Sequence, residues 1–421
     1  MKLYCFIFTL FLGIFPHHSI YAQTTSSSVN NEDGKKYKKK NILKEVKNYY
    51  KSSNYIKTDE IIQNAFKSYK EASDDPDLLA YEMNAQYQLY LDENKKLFLN
   101  QKGDTIKFFN HIYKTYVYAL KCDSVCSVPN HDGQLNKRYT SDINNRLSLL
   151  RNNLRNGGMY YIKKKKYNEA LAFFRLYINT IYHPFVLKNT ESTSSDNDKR
   201  IYLMALHAAY GAGEYKDVLT FMPEAIKNED RTEVILEMSA QSAMQVGDTV
   251  LGVKLMNNGF DKFPDNEYFK ANLIKYYHDH KNLTQTIRIL DRCIQTDSAA
   301  PKYWKLKGNE YYDIDSLDLA SNAYKHVIEI DKEDVDVLGK LANIYMRKAS
   351  EFYDSANLKI GAPYYEKNRK ILSSYYESAM VYYEILRSLK PDNPSLWKEG
   401  LRETYYKLNK GNELKKLEKK D

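Results

Sequence analysis

The sequence is short of the residues that break or cross-link a chain. Its 421 residues include only 10 Pro, 16 Gly and 4 Cys. So little Gly and Pro excludes a collagen-like or low-complexity chain. A hydrophobic fraction of 43% excludes a wholly disordered one, and four cysteines are too few for a small disulfide-built domain. The composition favours a folded, helix-rich chain with more than one cooperative unit.

The chain has more basic than acidic residues, and Tyr is by far its most frequent aromatic residue. The chain has 63 Lys and Arg against 54 Asp and Glu, a net charge of +9, and it has 39 Tyr against 16 Phe and 2 Trp. The basic excess is modest for this length, and the tyrosines follow a helical spacing instead of alternating with basic residues. We therefore expect the tyrosines to fill core and groove positions, and we predict no nucleic-acid partner.

One long hydrophobic run is present, over residues 3–15 after Lys2. It is shorter than the ~20 apolar residues that a membrane span needs, and small Ala22 follows at the distance typical of a cleavage site. Residues 1–22 are therefore predicted to be a secretory signal peptide. No later run is long enough to span a bilayer. We expect export without a transmembrane anchor, to the periplasm or cell envelope of a Gram-negative-like bacterium.

Export affects how the remaining cysteines are interpreted. Cys122 and Cys126 could form a local disulfide if a helix ended between them, although the geometry required is strict. Only His131 lies near enough to join them as a metal ligand, so no metal site is predicted. Cys293 lies on an apolar helix face and is expected in the core.

Helical spacing dominates the rest of the chain. Residues 23–40 are polar, end in a basic run and are predicted to be a flexible tether. Beyond them, apolar residues recur every three or four positions and the links are short. Helical hairpins are expected over 41–126, with Thr105 as a candidate N-cap, and a loop over 127–140. The helices predicted within the hairpins cover 42–51, 58–72, 77–99 and 105–121.

A repeat then becomes visible. The same residue types recur at the same offsets in two sets: Leu154, Gly158, Tyr161, Tyr167, Ala170 and Phe174, and Trp304, Gly308, Tyr311, Leu317, Ala320 and Tyr324. These residues resemble the tetratricopeptide (TPR) repeat, a helix–turn–helix unit of about 34 residues. The resemblance implies an all-α fold, a right-handed superhelical solenoid of antiparallel helix pairs.

The resemblance also places the repeats. The array is expected over 141–349, with an insertion at 350–372 in the last repeat, its closing helix at 373–392 and a C-terminal capping helix at 393–421. The insertion is interpreted either as two prolonged helices or as a projecting loop. The individual units are placed at 151–184, 199–231, 233–266, 267–300, 301–334 and 335–392.

The sequence contains no recognisable catalytic motif. Phosphate-binding, dinucleotide-binding, nucleophile-elbow and zinc-protease patterns are all missing. His278 and His280 form the only tight histidine pair, without a third ligand of known place. We therefore predict a protein that is not an enzyme and needs no cofactor.

The TPR resemblance implies that the first helix of each pair lines a concave, partner-binding face. The partner is expected to be an unidentified protein or peptide, and the oligomeric state stays open. The alternative is a cell-envelope glycan-binding accessory protein that uses exposed Tyr. Carried over by position, the candidate binding residues are Lys302, Lys305, Asn309, Tyr312, Asn343, Arg347, Arg155, Met159, His207, Tyr210, Gln241 and Met244.

Overall fold

A computed structural model describes residues 37–129, 132–187, 194–227 and 231–418. The predicted signal peptide and most of the predicted tether lie outside these residues. The chain divides into two compact units, residues 1–147 and 148–421. The described residues form helices joined by short links and contain no strand.

The first unit is built from four helices and the start of a fifth. A short 3-10 helix, Lys70–Asp74, lies between the second and the third, and the fifth continues into the second unit. The α-helices are α1 (Lys39–Lys51), α2 (Tyr55–Ser68), α3 (Pro76–Phe98), α4 (Thr105–Cys126) and α5 (Thr140–Lys163).

Aspartate side chains start two of these helices. Asp75 accepts hydrogen bonds from the backbone N–H groups of Asp77 and Leu78, and Pro76 occupies the first helical position. Asp104 accepts from Ile106 and Lys107 at 2.8 and 3.1 Å. The N-cap of α4 is therefore Asp104, whereas the sequence analysis proposed Thr105. A carboxylate serves better there because it also interacts favourably with the positive end of the helix dipole.

The local disulfide that the sequence left open between Cys122 and Cys126 is not formed. Both thiols are free and buried, because α4 continues through Cys126 instead of ending between them. The sulfur of Cys122 instead contacts the backbone carbonyl of Pro76 at 3.7 Å. Cys293 is also free and buried, in the core of the second unit as predicted.

The second unit is a series of helix pairs. Each pair has a first helix, a tight link and a second helix, and α7 (Pro184–Leu187) is a short segment between the first two pairs. The remaining helices are α6 (Tyr167–Asn179), α8 (Ser194–Ala212), α9 (Tyr215–Ala225), α10 (Thr232–Gln245), α11 (Thr249–Lys262), α12 (Glu267–Asp279), α13 (Leu283–Thr296), α14 (Pro301–Asp313), α15 (Leu317–Ile330), α16 (Val335–Ser355), α17 (Tyr365–Leu389), α18 (Lys398–Lys407) and α19 (Gly411–Glu418).

The residues that carried the repeat form the contact between paired helices. An added Cβ on Gly158 of α5 would lie 2.5 Å from the Phe174 ring of α6, and one on Gly308 of α14 would lie 2.4 Å from the Tyr324 ring of α15. Glycine is needed because the aromatic ring of the second helix lies directly against the first helix. This packing confirms the all-α fold of TPR-like helix pairs.

The predicted insertion consists mainly of helix. Its residues belong to the end of α16, the link 356–364 and the first turns of α17, and Phe352 and Tyr375 meet edge to face with 6.0 Å between ring centroids. Of the two interpretations, prolonged helices describe this segment. The C-terminal segment contains two helices, α18 and α19, where one capping helix was expected.

Candidate functional site

The first helices of consecutive pairs in the second unit exchange side-chain contacts. We call the surface formed by α8, α10, α12, α14 and α16 the first-helix face. Between α8 and α10, the Tyr210 hydroxyl donates to Oε1 of Gln241 at 2.6 Å. Two residues predicted for partner binding are thus brought together by a repeat-to-repeat hydrogen bond.

Between α12 and α14 the contact centres on Glu267. Its carboxylate accepts from Lys302 at 2.9 Å, from the Tyr303 hydroxyl at 3.0 Å and from Lys270 at 3.1 Å. The hydrogen bond from Lys302, followed by those from Lys270 and Tyr303, lowers the pKa of Glu267 to about 2. The Lys302 side chain is half-exposed, and its hydrogen bond to Glu267 holds it in place.

Between α14 and α16, the side chains of Lys305 and Asn309 both have partners within the protein. The Lys305 ammonium lies 2.9 Å from Asp334 and 3.0 Å from Asp336. Oδ1 of Asn309 accepts from the Tyr324 hydroxyl and from the ammonium of Lys340, both at 2.7 Å. The sequence analysis placed Lys305 and Asn309 among the candidate partner-binding residues. These side chains instead join one repeat to the next, and a partner would have to share or displace those bonds.

Further along α16, two predicted residues contact the link after α14 and the second helix α17. Arg347 lies 3.0 Å from Asp315 and keeps 39% of its side chain exposed. Asn343 accepts from the Tyr383 hydroxyl at 3.0 Å. Of the predicted residues, Arg347 and Lys302 therefore offer the largest exposed charges on this face.

The remaining predicted residues are half-buried on their helices: Arg155 and Met159 on α5, His207 on α8, Met244 on α10 and Tyr312 on α14. The His207 ring meets Tyr167 edge to face at 5.8 Å. Tyr312 packs beside the core of the C-terminal repeats. These side chains contribute packing as well as surface.

A cavity that was not found by transferring positions of the TPR repeat lies at the C-terminal end of the second unit. It has a volume of about 720 Å³ and is lined by Asn343 and Met346 of α16, Tyr383 of α17, Glu399, Glu403 and Tyr406 of α18, and Leu414 and Glu418 of α19. We call it the C-terminal groove.

Neither a cluster of metal ligands nor a membrane-spanning helix is found in the described residues. No group of three or more His, Cys, Asp or Glu in residues 37–129, 132–187, 194–227 or 231–418 could hold a metal ion. Within the same ranges, no helix combines the length and the apolar character needed to cross a membrane.

Comparison with known proteins finds likeness only at the level of structure. No protein-family model matches, and no curated protein matches. The chain is similar to the MamA protein (17% identity, 45% of this chain, 90% of that chain, TM-score 0.32). It is also similar to a TPR-repeat protein of Bacteroides fragilis, with 15% identity over 61% of this chain and 98% of that chain and a TM-score of 0.29. A third similar structure is the C-terminal part of a TPR repeat-containing protein of Cytophaga hutchinsonii, with 17% identity over 62% of this chain and 89% of that chain and a TM-score of 0.35.

Because these TM-scores are low, the TPR-like fold is identified from the packing within the chain itself. The evidence is the contact between Gly and an aromatic ring in paired helices and the side-by-side arrangement of the first helices. The second unit has the helix-pair repeat of TPR proteins, as the sequence predicted.

Proposed function

We propose that the protein is an exported, non-enzymatic scaffold that binds other proteins or peptides on its first-helix face. The observation that carries the proposal is the series of contacts between neighbouring first helices. Tyr210 with Gln241 and Lys302 with Glu267 join first helices, and Arg347 of α16 reaches Asp315 in the link after α14. These pairs fix hydroxyl, amide, ammonium and guanidinium groups about one repeat apart. A surface fixed in advance loses little side-chain entropy when an extended chain binds along it.

A protein partner fits this face better than a glycan. Sugar rings are bound by flat, exposed aromatic surfaces. The exposed tyrosines of the described residues are Tyr182, Tyr353, Tyr364 and Tyr406, and none of these rings pairs with another aromatic ring in the part of the chain that the structure describes. Most of the other tyrosines pack between helices, as Tyr116 and Tyr324 do. The position of the tyrosines therefore favours a protein-binding role.

Export is the second part of the proposal and is supported by the sequence alone. The motivating features are the apolar run of residues 3–15 and the small Ala22. N-terminal sequencing of protein recovered from the envelope fraction should find a chain beginning at Gln23. A cytoplasmic chain that begins at Met1 would contradict it.

The binding face can be tested by affinity capture from envelope extract with residues 23–421. The test variant, Lys302→Gln with Arg347→Gln, removes two ion-paired cations from the first-helix face. The control, Arg175→Gln with Arg292→Gln, removes two ion-paired cations from second helices. We expect the test variant to lose most of the captured protein and the control to keep it. Equal capture by both, or capture of polysaccharide alone, would contradict the proposal.

A further inference from the structure

The charged residues that line the C-terminal groove are mostly acidic, although the chain as a whole is basic. The whole chain carries +9, whereas the charged residues that line this groove are Glu399, Glu403, Glu418 and Arg402. Arg402 lies 3.3 Å from Glu399 and neutralises it. Two glutamates therefore remain as the excess charge of the groove.

These two carboxylates differ from those of the first-helix face. Along that face the acids are paired across helices, as Glu267 is with Lys302 and Asp334 with Lys305. Within the described ranges, by contrast, no ion pair or hydrogen bond reaches the side chain of Glu403 or Glu418. The field of Glu403 is felt inside the groove, since after burial it is the main cause that raises the pKa of both Tyr376 and Tyr383.

The floor of the groove is aromatic and held in place. The ring of Tyr383 lies against Gly400, where an added Cβ would come within 2.2 Å of it. Its hydroxyl donates to Asn343 at 3.0 Å. Tyr406, 70% exposed, stands at the side of the groove. Met346 and Leu414 complete a partly apolar lining.

This combination suits one kind of side chain. A Lys or Arg carries an apolar stem and a cationic head. The stem would lie along Met346 and Leu414, the head would approach Glu403 and Glu418, and the face of Tyr406 would add a cation–π contact. Arg is favoured because its planar group can bond to a carboxylate through two N–H groups at once.

We propose that the C-terminal groove binds an Arg- or Lys-bearing segment of the partner protein. The inference rests on the proposed function, since Asn343 and Met346 belong both to the groove and to first helix α16. A peptide that follows the first-helix face toward the C-terminus would therefore place its next residues in the groove. The volume lies in the range of protein sites that enclose several groups of a ligand.

The probe for the test is a short fluorescein-labelled oligoarginine peptide, with an oligoglutamate peptide of equal length as the comparison. Binding to residues 23–421 is followed by fluorescence anisotropy at low and high salt. The test variant is Glu403→Gln with Glu418→Gln. The matched control is Glu377→Gln with Glu413→Gln, which removes two exposed carboxylates outside the groove. Thermal melts followed by circular dichroism verify that all variants fold.

We expect oligoarginine to bind the native chain in a salt-sensitive manner and oligoglutamate not to bind. The test variant should bind oligoarginine about tenfold more weakly, the scale of one or two charged hydrogen bonds. The control should stay within about twofold, since isolated exposed charges contribute little. No binding of oligoarginine, or equal weakening in test and control variants, would overturn the proposal. If partner capture still depended on Lys302 and Arg347, the proposed function would stand while the groove proposal failed.

Discussion

Gly308 and Tyr324 meet at the crossing of α14 and α15, where a Cβ on the glycine would lie 2.4 Å from the aromatic ring. The ring is fully buried, and its hydroxyl still reaches Oδ1 of Asn309 at 2.7 Å. A residue of the repeat pattern thus sets the distance between two helices and orients a polar residue on the first-helix face. Tyr324 therefore links the packing of α14 against α15 to the position of Asn309 on the first-helix face.

The first prediction concerns this crossing. Gly308→Ala should destabilise the second unit by about 1 to 3 kcal/mol, because the methyl group overpacks a buried ring. Gly339→Ala, near the start of neighbouring helix α16, is the matched control, since a Cβ there meets no atom within 4 Å. It should stabilise by up to about 1 kcal/mol through helix propensity. Urea unfolding of both variants measures the difference, and equal effects of the two substitutions would contradict the packing described.

The second prediction concerns the Tyr324 hydroxyl. Tyr324→Phe removes one of the two donors to Asn309 but leaves the Lys340 bond at 2.7 Å. We expect a loss of about 0.5 to 1.5 kcal/mol, the usual net value of such a bond. Asn309→Ala should cost more, because it leaves the buried Tyr324 hydroxyl unsatisfied. A double-mutant cycle should give a coupling energy between the two positions. Strict additivity would show that the bond contributes nothing.

The third prediction concerns pH and the first unit. Glu82 is fully buried on α3, and its Oε1 accepts from Gln63 and Gln86 at 3.0 and 2.8 Å. Burial, and next the charge of Asp59, raise the pKa of Glu82 well above 4.5. Oε2 of Glu82 and Oδ1 of Asp59 are both buried without a hydrogen-bond partner. A proton on Glu82 would let it donate to Asp59, since two ionised carboxylates can only accept. The folded unit therefore keeps a proton that the unfolded chain releases above about pH 4.5, and stability declines as pH rises from there.

Glu82→Gln tests this relationship, because the amide can accept the same two bonds and donate permanently to Asp59. The variant should be more stable than the native chain near pH 8, and the difference should shrink toward pH 4. Nearby His111 acts in the opposite direction. Burial lowers its pKa to about 4, so its contribution is lost as pH falls, but it is common to both proteins. Melting curves across pH measure the effect, and parallel pH profiles would contradict it.

The fourth prediction concerns the thiols. Burial raises the pKa of Cys122, Cys126 and Cys293, and the thiolate is the reactive form. Native residues 23–421 should therefore react slowly with iodoacetamide and take up three labels once denatured without reductant, as three free cysteines require. The intact mass gives the count. A single label would mean that Cys122 and Cys126 are bridged after all.

The sequence predicted the second unit well because its packing rules repeat. Gly158 with Phe174 and Gly308 with Tyr324 obey one spacing, and repetition makes such a signal visible. The first unit offered no such repetition. Asp59 and Glu82 meet across α2 and α3 without any periodic pattern, so their proximity could not be inferred from spacing. The choice of Thr105 over Asp104 was wrong by one residue, because both types cap helices.

The candidate face was found by position, but its bonding was not. Tyr210 and Gln241, 31 residues apart, lie on neighbouring first helices, and Arg347 of α16 contacts Asp315, 32 residues earlier, in the link after α14. Complementary polar residues about one repeat apart were therefore the available signal. The C-terminal groove could not be found in this way, because α18 and α19 were expected as one helix.

Site-specific photo-crosslinking in living cells tests the binding face most directly. A photoreactive amino acid replaces Tyr312 on α14 in one strain and exposed Leu319 on α15 in a second. If partners bind the first-helix face, irradiation should yield a discrete protein adduct from position 312 and none from position 319. Adducts from position 319 alone, or from neither position while the chain remains folded, would contradict binding on this face.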